Sequence, residues 1–389
     1  MREDWEYKTF GEIGSFLRGK NIQKADFVSG GLPCIHYGQI HTKFDISIDY
    51  HLSEIPQEVY DKAIIASPGD VIIAITSEDI DGSCKSVVWL GNYDIAVSAH
   101  AAILKHNMNG KFIAYYLRSN TFFTQKLKYA RGFKVMEIKT KDLAKLVLPI
   151  PPKPTQLSIV SELDKLNELI RIKKEQLKDY DSLAQSIFYE MFGDPVVNEK
   201  GWEVKTFGEC FSIGAGGTPS TKVKEYWDNG TIPWIGSNMC QNCIITETDG
   251  KFITEEGLTH SSTKLLAPGT VLVALVGATI GKVGLLRIET CTNQNVAFIK
   301  VQETETFTSE FVYYHLMGLY GEFMKIGQGN FKMANQGFIK LLPISLPPLP
   351  LQHSFAHKIE QIERQKAEVQ KTITDLETLL AARMQYWFD

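Results

Sequence analysis

The chain has 389 residues, 44% hydrophobic and 22% charged, with a formal net charge of −4. That composition belongs to a soluble globular protein of two or three domains and excludes a fibrous or disordered chain. No apolar run reaches about 18 residues and no charged, apolar, small-residue leader opens the chain, so neither a membrane span nor an export signal is expected, and cytoplasmic residence is.

The first segment, 1–154, opens Trp5-Glu6-Tyr7-Lys8-Thr9-Phe10-Gly11-Glu12. Val71 to Ile75 follows Pro68-Gly69 and reads as a buried strand. His100 sits in an apolar run and is expected in the core, and Phe112 to Leu127 reads as one amphipathic helix. From Lys105 to Lys145 ten basic residues (Lys105, Lys111, Arg118, Lys126, Lys128, Arg131, Lys134, Lys139, Lys141, Lys145) face only Glu137 and Asp142. The segment carries +2 while the rest of the chain is acidic, an asymmetry that keeps nucleic acid open as a partner.

The second segment, 155–193, predicts a long helix over Thr155 to Phe192. It has no Gly or Pro, the prolines 149, 151, 152 and 154 crowd its start, and Gly193 and Pro195 follow its end. Apolar residues recur in a heptad pattern at Leu163, Leu166, Ile170, Leu177, Tyr180, Ala184, Ile187 and Met191. Such a helix runs ~55 Å and needs a partner of equal length.

The third segment, 194–351, opens Trp202-Glu203-Val204-Lys205-Thr206-Phe207-Gly208-Glu209, matching the first opening at seven of eight positions 197 residues on. Ile232 to Met239 answers Leu32 to Ile40, and Ala267 to Leu275 answers Ser67 to Ile75. Gly277 to Gly284 reads as a turn between strands, and Ser309 to Lys325 as a helix. The fourth segment, 352–389, follows Pro347, Pro348 and Pro350 and carries Ile359, Ile362, Val369, Ile373, Leu376, Leu380 and Trp387 in the same heptad phase, 196 residues after the first helix. Because 196 is a multiple of seven the two seams superpose, with Lys173 and Lys366 interrupting them.

The chain is therefore one unit used twice: globule, helix, globule, helix. The expected fold is mixed α/β, two tandem globular domains separated by a long intramolecular antiparallel two-helix coiled coil with pseudo-two-fold symmetry. Antiparallel pairing is expected because a compact body of this size spans only about 40 Å and cannot return the chain along the helix. The globules are then expected at opposite ends of a rod long enough for about sixteen base pairs of B-form DNA.

No catalytic signature is present. There is no Asn or Asp followed by Pro-Pro and an aromatic, Gly277 to Lys282 is one residue short of a phosphate loop, and no Pro-Asp with Glu-x-Lys of a nuclease occurs. The nine histidines show no metal spacing, so no metal site is expected. Six cysteines at irregular positions do not form a disulfide framework, and Cys240 with Cys243 is a lone CxxC expected to hold plain thiols. The chain reads as one that binds rather than catalyses.

In order, Gly216-Gly217-Thr218-Pro219-Ser220, Tyr226 to Ile235, Gly277-Ala278-Thr279-Ile280-Gly281-Lys282-Val283-Gly284, Thr292-Asn293-Gln294 and Leu346 to Gln352 resemble the target-recognition domain of type I restriction-modification specificity subunits, the HsdS family. The first half keeps the opening, Pro33, Pro68-Gly69 and the Pro152 to Gln156 exit but lacks the other motifs, as expected of a domain that reads a different sequence. The resemblance implies two target-recognition domains, 1–154 and 194–351, joined by conserved helices at 155–193 and 352–389, and a bipartite double-stranded DNA site with an unspecified gap. It implies docking of two modification subunits, which carry S-adenosylmethionine and methylate adenine, and of two restriction subunits, which use ATP and magnesium to translocate and cleave. No cofactor is expected on this chain itself.

Base edges are read by Arg, Lys, Asn, Gln, Ser or Thr on projecting loops, and phosphates by Lys, Arg and small hydroxyls. By type, the expected DNA contacts are Arg18, Lys20, Lys24, Tyr37, Gln39, His41, Arg131 and Lys134 in the first domain. In the second they are Lys222, Lys224, Ser237, Asn238, Lys282, Lys332, Asn335 and Gln336. Trp234, Phe133 and Phe331 are expected to pack rather than stack on bases. Two other readings stay open: a coiled-coil scaffold whose end domains bind proteins, and a self-contained methyltransferase, which the missing cofactor motifs disfavour.

Overall fold

The computed structural model describes residues 5–132, 135–326 and 333–389. They form two compact units, Met1–Lys174 with Lys371–Asp389, and Glu175–Gln370. The first unit holds a five-stranded sheet in the order Gly14–Arg18, Ala101–His106, Val71–Ala74, Ser86–Trp89, Ser47–Ile48. Beside it runs a four-stranded sheet, Ser53–Ile55, Leu32–Ile35, Ile95–Val97, Ile64–Ala66. Val71–Ala74 is buried throughout because each face has its own core: Val71 and Ile73 pack with Phe112 and Leu104, Ile72 and Ala74 with Trp89 and Val97.

The second unit repeats that order strand for strand: Ile213–Ala215, Val296–Ile299, Val271–Ala274, Val283–Leu286, Cys243–Ile245, and then Phe252–Ile253, Ile232–Ile235, Thr290–Thr292, Leu265–Leu266. The sequence repeat is thus a repeat of topology. The Pro-Gly turns before the central strands need a left-handed residue, supplied by Gly69 (φ 96°) and Gly269 (φ 87°).

The shared Thr-Phe-Gly-Glu opening has a physical reason. Thr9 and Glu12, and again Thr206 and Glu209, form reciprocal capping boxes on short helices at Phe10–Ile13 and Phe207–Cys210, which bury Phe10 and Phe207. The strand before each box pairs antiparallel with the strand that leaves the globule, Glu6–Thr9 with Val147–Ile150 and Val204–Thr206 with Pro343–Ser345. Each unit is closed at a neck directly before its proline elbow.

Two helices differ from the sequence reading. Phe112 to Leu127 is two helices, Gly110–Tyr116 and Asn120–Leu127, because the Ser119 hydroxyl accepts the Phe122 N–H and starts a new helix. Ser309 to Lys325 likewise divides into Ser309–Gly318 and Tyr320–Met324.

The long helices are Lys153–Phe192 and Leu349–Phe388, of 40 residues each. They begin slightly earlier than the prolines suggest, since Pro154 and Pro350 lie in first turns, where a missing N–H costs nothing. The helices pack together and run in opposite directions: in the first unit Glu162 meets Arg383 and Lys174 meets Glu377, and in the second Asp181 meets Lys366. The interrupting Lys366 is therefore answered by a carboxylate. Leu163, Leu166, Ile170, Ile359, Ile362, Val369 and Ile373 are buried, and Leu177, Tyr180, Ile187, Leu376 and Leu380 half-buried.

Heptad counting missed the positions that bolt the helices to the globules. Phe192 lies 4.9 Å from Phe311 and 5.3 Å from Phe355, and Phe388 lies 5.4 Å from Phe112, ring centre to ring centre. All are buried, and burial of each such ring contributes about 1.5–3 kcal/mol. No helix of the described residues is long and apolar enough to cross a membrane.

Candidate nucleic-acid interface

In each unit several of the loops that carry candidate residues leave the sheets at one end. In the first, the strand Gly14–Arg18 ends at Arg18, and Lys20 bridges to Ser98 in the turn that carries the chain between the two sheets. That turn presents His100, which is exposed and stands 4.8 Å from the Tyr37 ring. The expectation of a core histidine fails here: the apolar residues around it belong to two different sheets, and His100 lies where one passes into the other. Tyr37, His41 and His100 line a cavity of about 610 Å³ together with Thr76, Glu78 and Asp79.

Several of the named side chains already have work in the fold. Arg18 Nε donates to the Ala99 carbonyl at 3.2 Å and its guanidinium pairs with Glu137 at 3.2 Å. The Gln39 amide is committed to the fold: Oε1 accepts the His36 N–H at 2.9 Å and Nε2 donates to Ser53 at 2.7 Å. His41 Nε2 lies 3.0 Å from the Thr76 carbonyl, which assigns that nitrogen a proton. Lys24 is exposed near His36; burial first, then the Lys24 and His100 charges, hold His36 below the usual imidazole range. Arg131 is exposed on a backbone bridge to Glu137, and Lys134 lies outside the described residues.

The basic run is less free than its composition suggests. Lys105 pairs with Asp70, Lys111 with Asp164, Arg118 with Asp45 and Lys145 with Asp142. Lys126 is 3% exposed and donates to the Ser83 and Asp81 carbonyls at 2.7 and 3.2 Å, and burial lowers its pKa. Lys128, Arg131, Lys139 and Lys141 remain exposed.

In the second unit the corresponding end is built from four segments. Gly217 N–H donates to Thr292 O at 2.8 Å, Asn293 N–H to Ile235 O at 3.1 Å, and Ala334 N–H to Leu275 O at 2.9 Å. These bonds gather the Gly-Gly-Thr-Pro-Ser loop, Thr292-Asn293-Gln294, the turn Ser237–Met239 and the segment leading into the helix Gln336–Leu341. Gly216 and Gly217 are required by closeness, since a Cβ on either would stand 2.2–2.3 Å from Thr292 or Ser262. Asn238 is exposed, with Nδ2 3.4 Å from Asp249. Lys282 Nζ donates to Gln241 Oε1 at 2.6 Å, and Asn335 Oδ1 accepts the Phe338 N–H at 2.9 Å as a helix cap, with Gln336 next to it. Lys222 and Lys224 stand exposed on the preceding loop, and Lys332 lies outside the described residues.

Trp234 packs as expected, 8% exposed with Nε1 donating to Gly217 O at 3.0 Å, whereas Phe133 and Phe331 lie outside the described residues. Sequence reasoning left out His100, Thr218, Asn293 and Gln294; the last three stood in motifs already singled out, and the Thr218 hydroxyl bonds Gln294 across the rim. Cys240 is fully buried in an apolar cluster with its thiol pushed up by burial, and Cys243 donates to Met239 O at 3.3 Å. Among the described residues no group of three or more His, Cys, Asp or Glu side chains is placed to hold a metal.

Residues 2–179 and 199–378 match the model of a family described as the type I restriction modification DNA specificity domain. The chain is 28% identical over 219 residues to the specificity subunit of the Escherichia coli type I restriction enzymes EcoR124I and EcoR124II, covering 54% of this chain and only about half, 52%, of that protein. It is 23% identical over 415 residues to the putative type I restriction enzyme MjaX specificity subunit of Methanocaldococcus jannaschii, covering 97% of this chain and 93% of that one. Among solved structures, a chain from a type I R-M system studied for complex assembly and conformational transition covers 100% of this chain, and 98% of its own length is matched, at 18% identity and a TM-score of 0.61. At that identity the likeness is one of fold.

Proposed function

The chain belongs to the type I restriction modification DNA specificity family, and from that premise we propose that it is the sequence-reading subunit of a type I restriction-modification assembly, without catalytic chemistry of its own. On this reading 1–154 and 194–351 are target-recognition domains, each reading one half of a bipartite, gapped duplex site. The observation that carries the proposal is that one strand order, used twice, brings two unlike polar rims to the same end of each unit. A duplicated scaffold with unlike rims suits two unlike half-sites, as dimeric repressors with like rims suit palindromes.

Ser237, Asn238 and Gln336 in the second rim, and Tyr37, His41 and Arg18 in the first, are the candidates for base edges. Lys20, Lys24, Arg131, Lys222 and Lys224 suit phosphates. The long helices, paired as an antiparallel coiled coil on the seam from Leu163 to Leu380, act as the spacer between half-sites. Leu157, Leu169, Ile172, Leu183 and Leu379 stand exposed on them, which supports their use as the docking surface for two modification subunits. S-adenosylmethionine, ATP and magnesium then belong to those subunits and to two restriction subunits.

The test is sequencing of methylated adenines in DNA from cells with and without this gene. A split motif with a fixed gap that appears only with the gene is the expected result. Loss of no motif on deletion, or loss of a continuous one, refutes the proposal.

A further inference from the structure

Each proline elbow is held by one buried glutamine. In the first unit Gln156, 4% exposed in the opening turn of its long helix, donates from Nε2 to the Pro151 carbonyl at 2.9 Å and accepts the Asn109 N–H on Oε1 at 3.4 Å. Asn109 is the cap of the helix Gly110–Tyr116, so the amide ties the elbow to the start of a globule helix. In the second unit Gln352, 0% exposed, donates to the Pro347 and Thr306 carbonyls at 3.0 and 3.1 Å and accepts the Thr308 N–H at 3.0 Å; Thr308 caps Ser309–Gly318.

The neighbouring polar ties between globule and helix are different in the two halves. The first uses Lys111 and Tyr115 on Asp164, at 2.8 and 2.7 Å, and the second uses Arg287 on Glu310 and Glu363, at 2.8 and 3.5 Å. Only the amide does the same job in both. A side chain there must donate to a carbonyl and accept from an N–H at once, without charge, which a Gln amide does at every pH. Since the hinge it holds is where a recognition globule meets its spacer helix, its effect reaches beyond local stability.

We propose that Gln156 and Gln352 are positioning residues that fix the direction in which each long helix leaves its recognition globule, and so set the gap length the protein accepts. The inference rests on the bipartite reading above. It assigns gap discrimination to two buried amides as well as to helix length, and leaves the choice of bases to the rims.

The experiment uses the full chain in complex with its modification subunits and duplexes carrying the native site with its gap changed by one base pair. Q352M keeps the side-chain length and removes the three bonds. We expect its preference for the native gap to fall about ten-fold, the equivalent of about 1.4 kcal/mol, with the preferred bases unchanged. Q352E is the second variant: a neutral carboxyl can donate to one of the two carbonyls and accept the Thr308 N–H, whereas a carboxylate faces both carbonyls without a proton, so native gap preference should return in part as pH falls. Exchange of the Thr308 amide should be fast in Q352M and slow again in Q352E at the lower pH. Folded variants that keep the wild-type gap preference, or a Q352E whose preference ignores pH, overturn the inference, and Q352E keeps it open to refutation should Q352M not fold. A wild-type complex indifferent to gap overturns the bipartite reading itself and this inference with it.

Discussion

Acidification should loosen the second unit through His315. The residue is 1% exposed beside Phe207 and Phe311, and its Nε2 lies 3.0 Å from the Pro343 carbonyl, so Nε2 carries the proton and the ring is neutral. Nδ1 has no partner. Burial, against the smaller opposing effect of the Pro343 bond, lowers the pKa from 6.5 to about 4. In the unfolded chain the imidazole takes up its proton below about 6.5, while in the folded chain it does so only below about 4. Between those values the unfolded state binds the extra proton, so this contribution is complete above 6.5 and is lost as pH falls toward 4. A difference of ~2.5 pH units at ~1.36 kcal/mol each sets a ceiling of ~3 kcal/mol. The assay is denaturant unfolding of the full chain at several pH values, followed by hydrogen exchange within 309–318, with H315Q as the control that can still donate but does not titrate. The wild-type advantage over H315Q at neutral pH should shrink or reverse by about that amount near pH 4, and parallel stability curves would refute the argument.

Four further outcomes are expected. R131A and K20A should each weaken binding to all sequences alike and lower the slope of log K against log salt by about 0.9, measured by anisotropy at several salt concentrations. K126A should instead lower thermal stability by ~1–3 kcal/mol, because it strands the Ser83 and Asp81 carbonyls, and should leave the salt slope unchanged. Exchange of residues 1–154 for those of another family member should alter one half of the methylated motif and not the other. Insertion of seven residues in one long helix should change the gap or abolish binding while the bases read stay the same, as motif sequencing would report.

The repeat and the long helices could be read from the sequence because each rests on a periodic or repeated signal, heptads, proline clusters and the Thr-Phe-Gly-Glu segment, and the opposed direction of the helices followed from the size of the globule between them. What escaped rests on contacts distant in sequence. Lys111 and Arg118 look like a phosphate-binding run until the fold brings Asp164 and Asp45 to them, and no local pattern marks Lys126 as buried. Ser119 breaks a helix inside an amphipathic pattern that continues unbroken on either side, so periodicity overran the cap. His100 was misplaced because alternation across a crossover looks like alternation along a strand. At the rims, residue type pointed to Tyr37 and Asn238, which the fold leaves at a cavity wall and on an exposed turn, but could not tell that the Gln39 and Asn335 side chains are engaged as caps.

The central hairpins suggest how one scaffold can carry two rims. In the first unit Ala74 donates to Lys85 O at 2.8 Å and accepts from Cys84 N at 2.9 Å; in the second Ala274 donates to Lys282 O at 2.9 Å and accepts from Gly281 N at 2.9 Å. The residue at the return of each loop is left-handed, Cys84 at φ 65° and Gly281 at φ 75°. Both loops are therefore closed by one and the same pair of bonds, yet the first spans Ala74 to Cys84 and the second the shorter stretch Ala274 to Gly281, with Glu78 and Asp79 present only in the longer. Loop-closure entropy rises by only ~0.6 kcal/mol for each doubling of length, so a rim can lengthen and change its chemistry at little cost once its base is fixed. Stability resides in the neck, the buried sheets and the elbow amides, and the chemistry of each rim in loops that hang from them, which is why the two halves can share a fold and still present different rims.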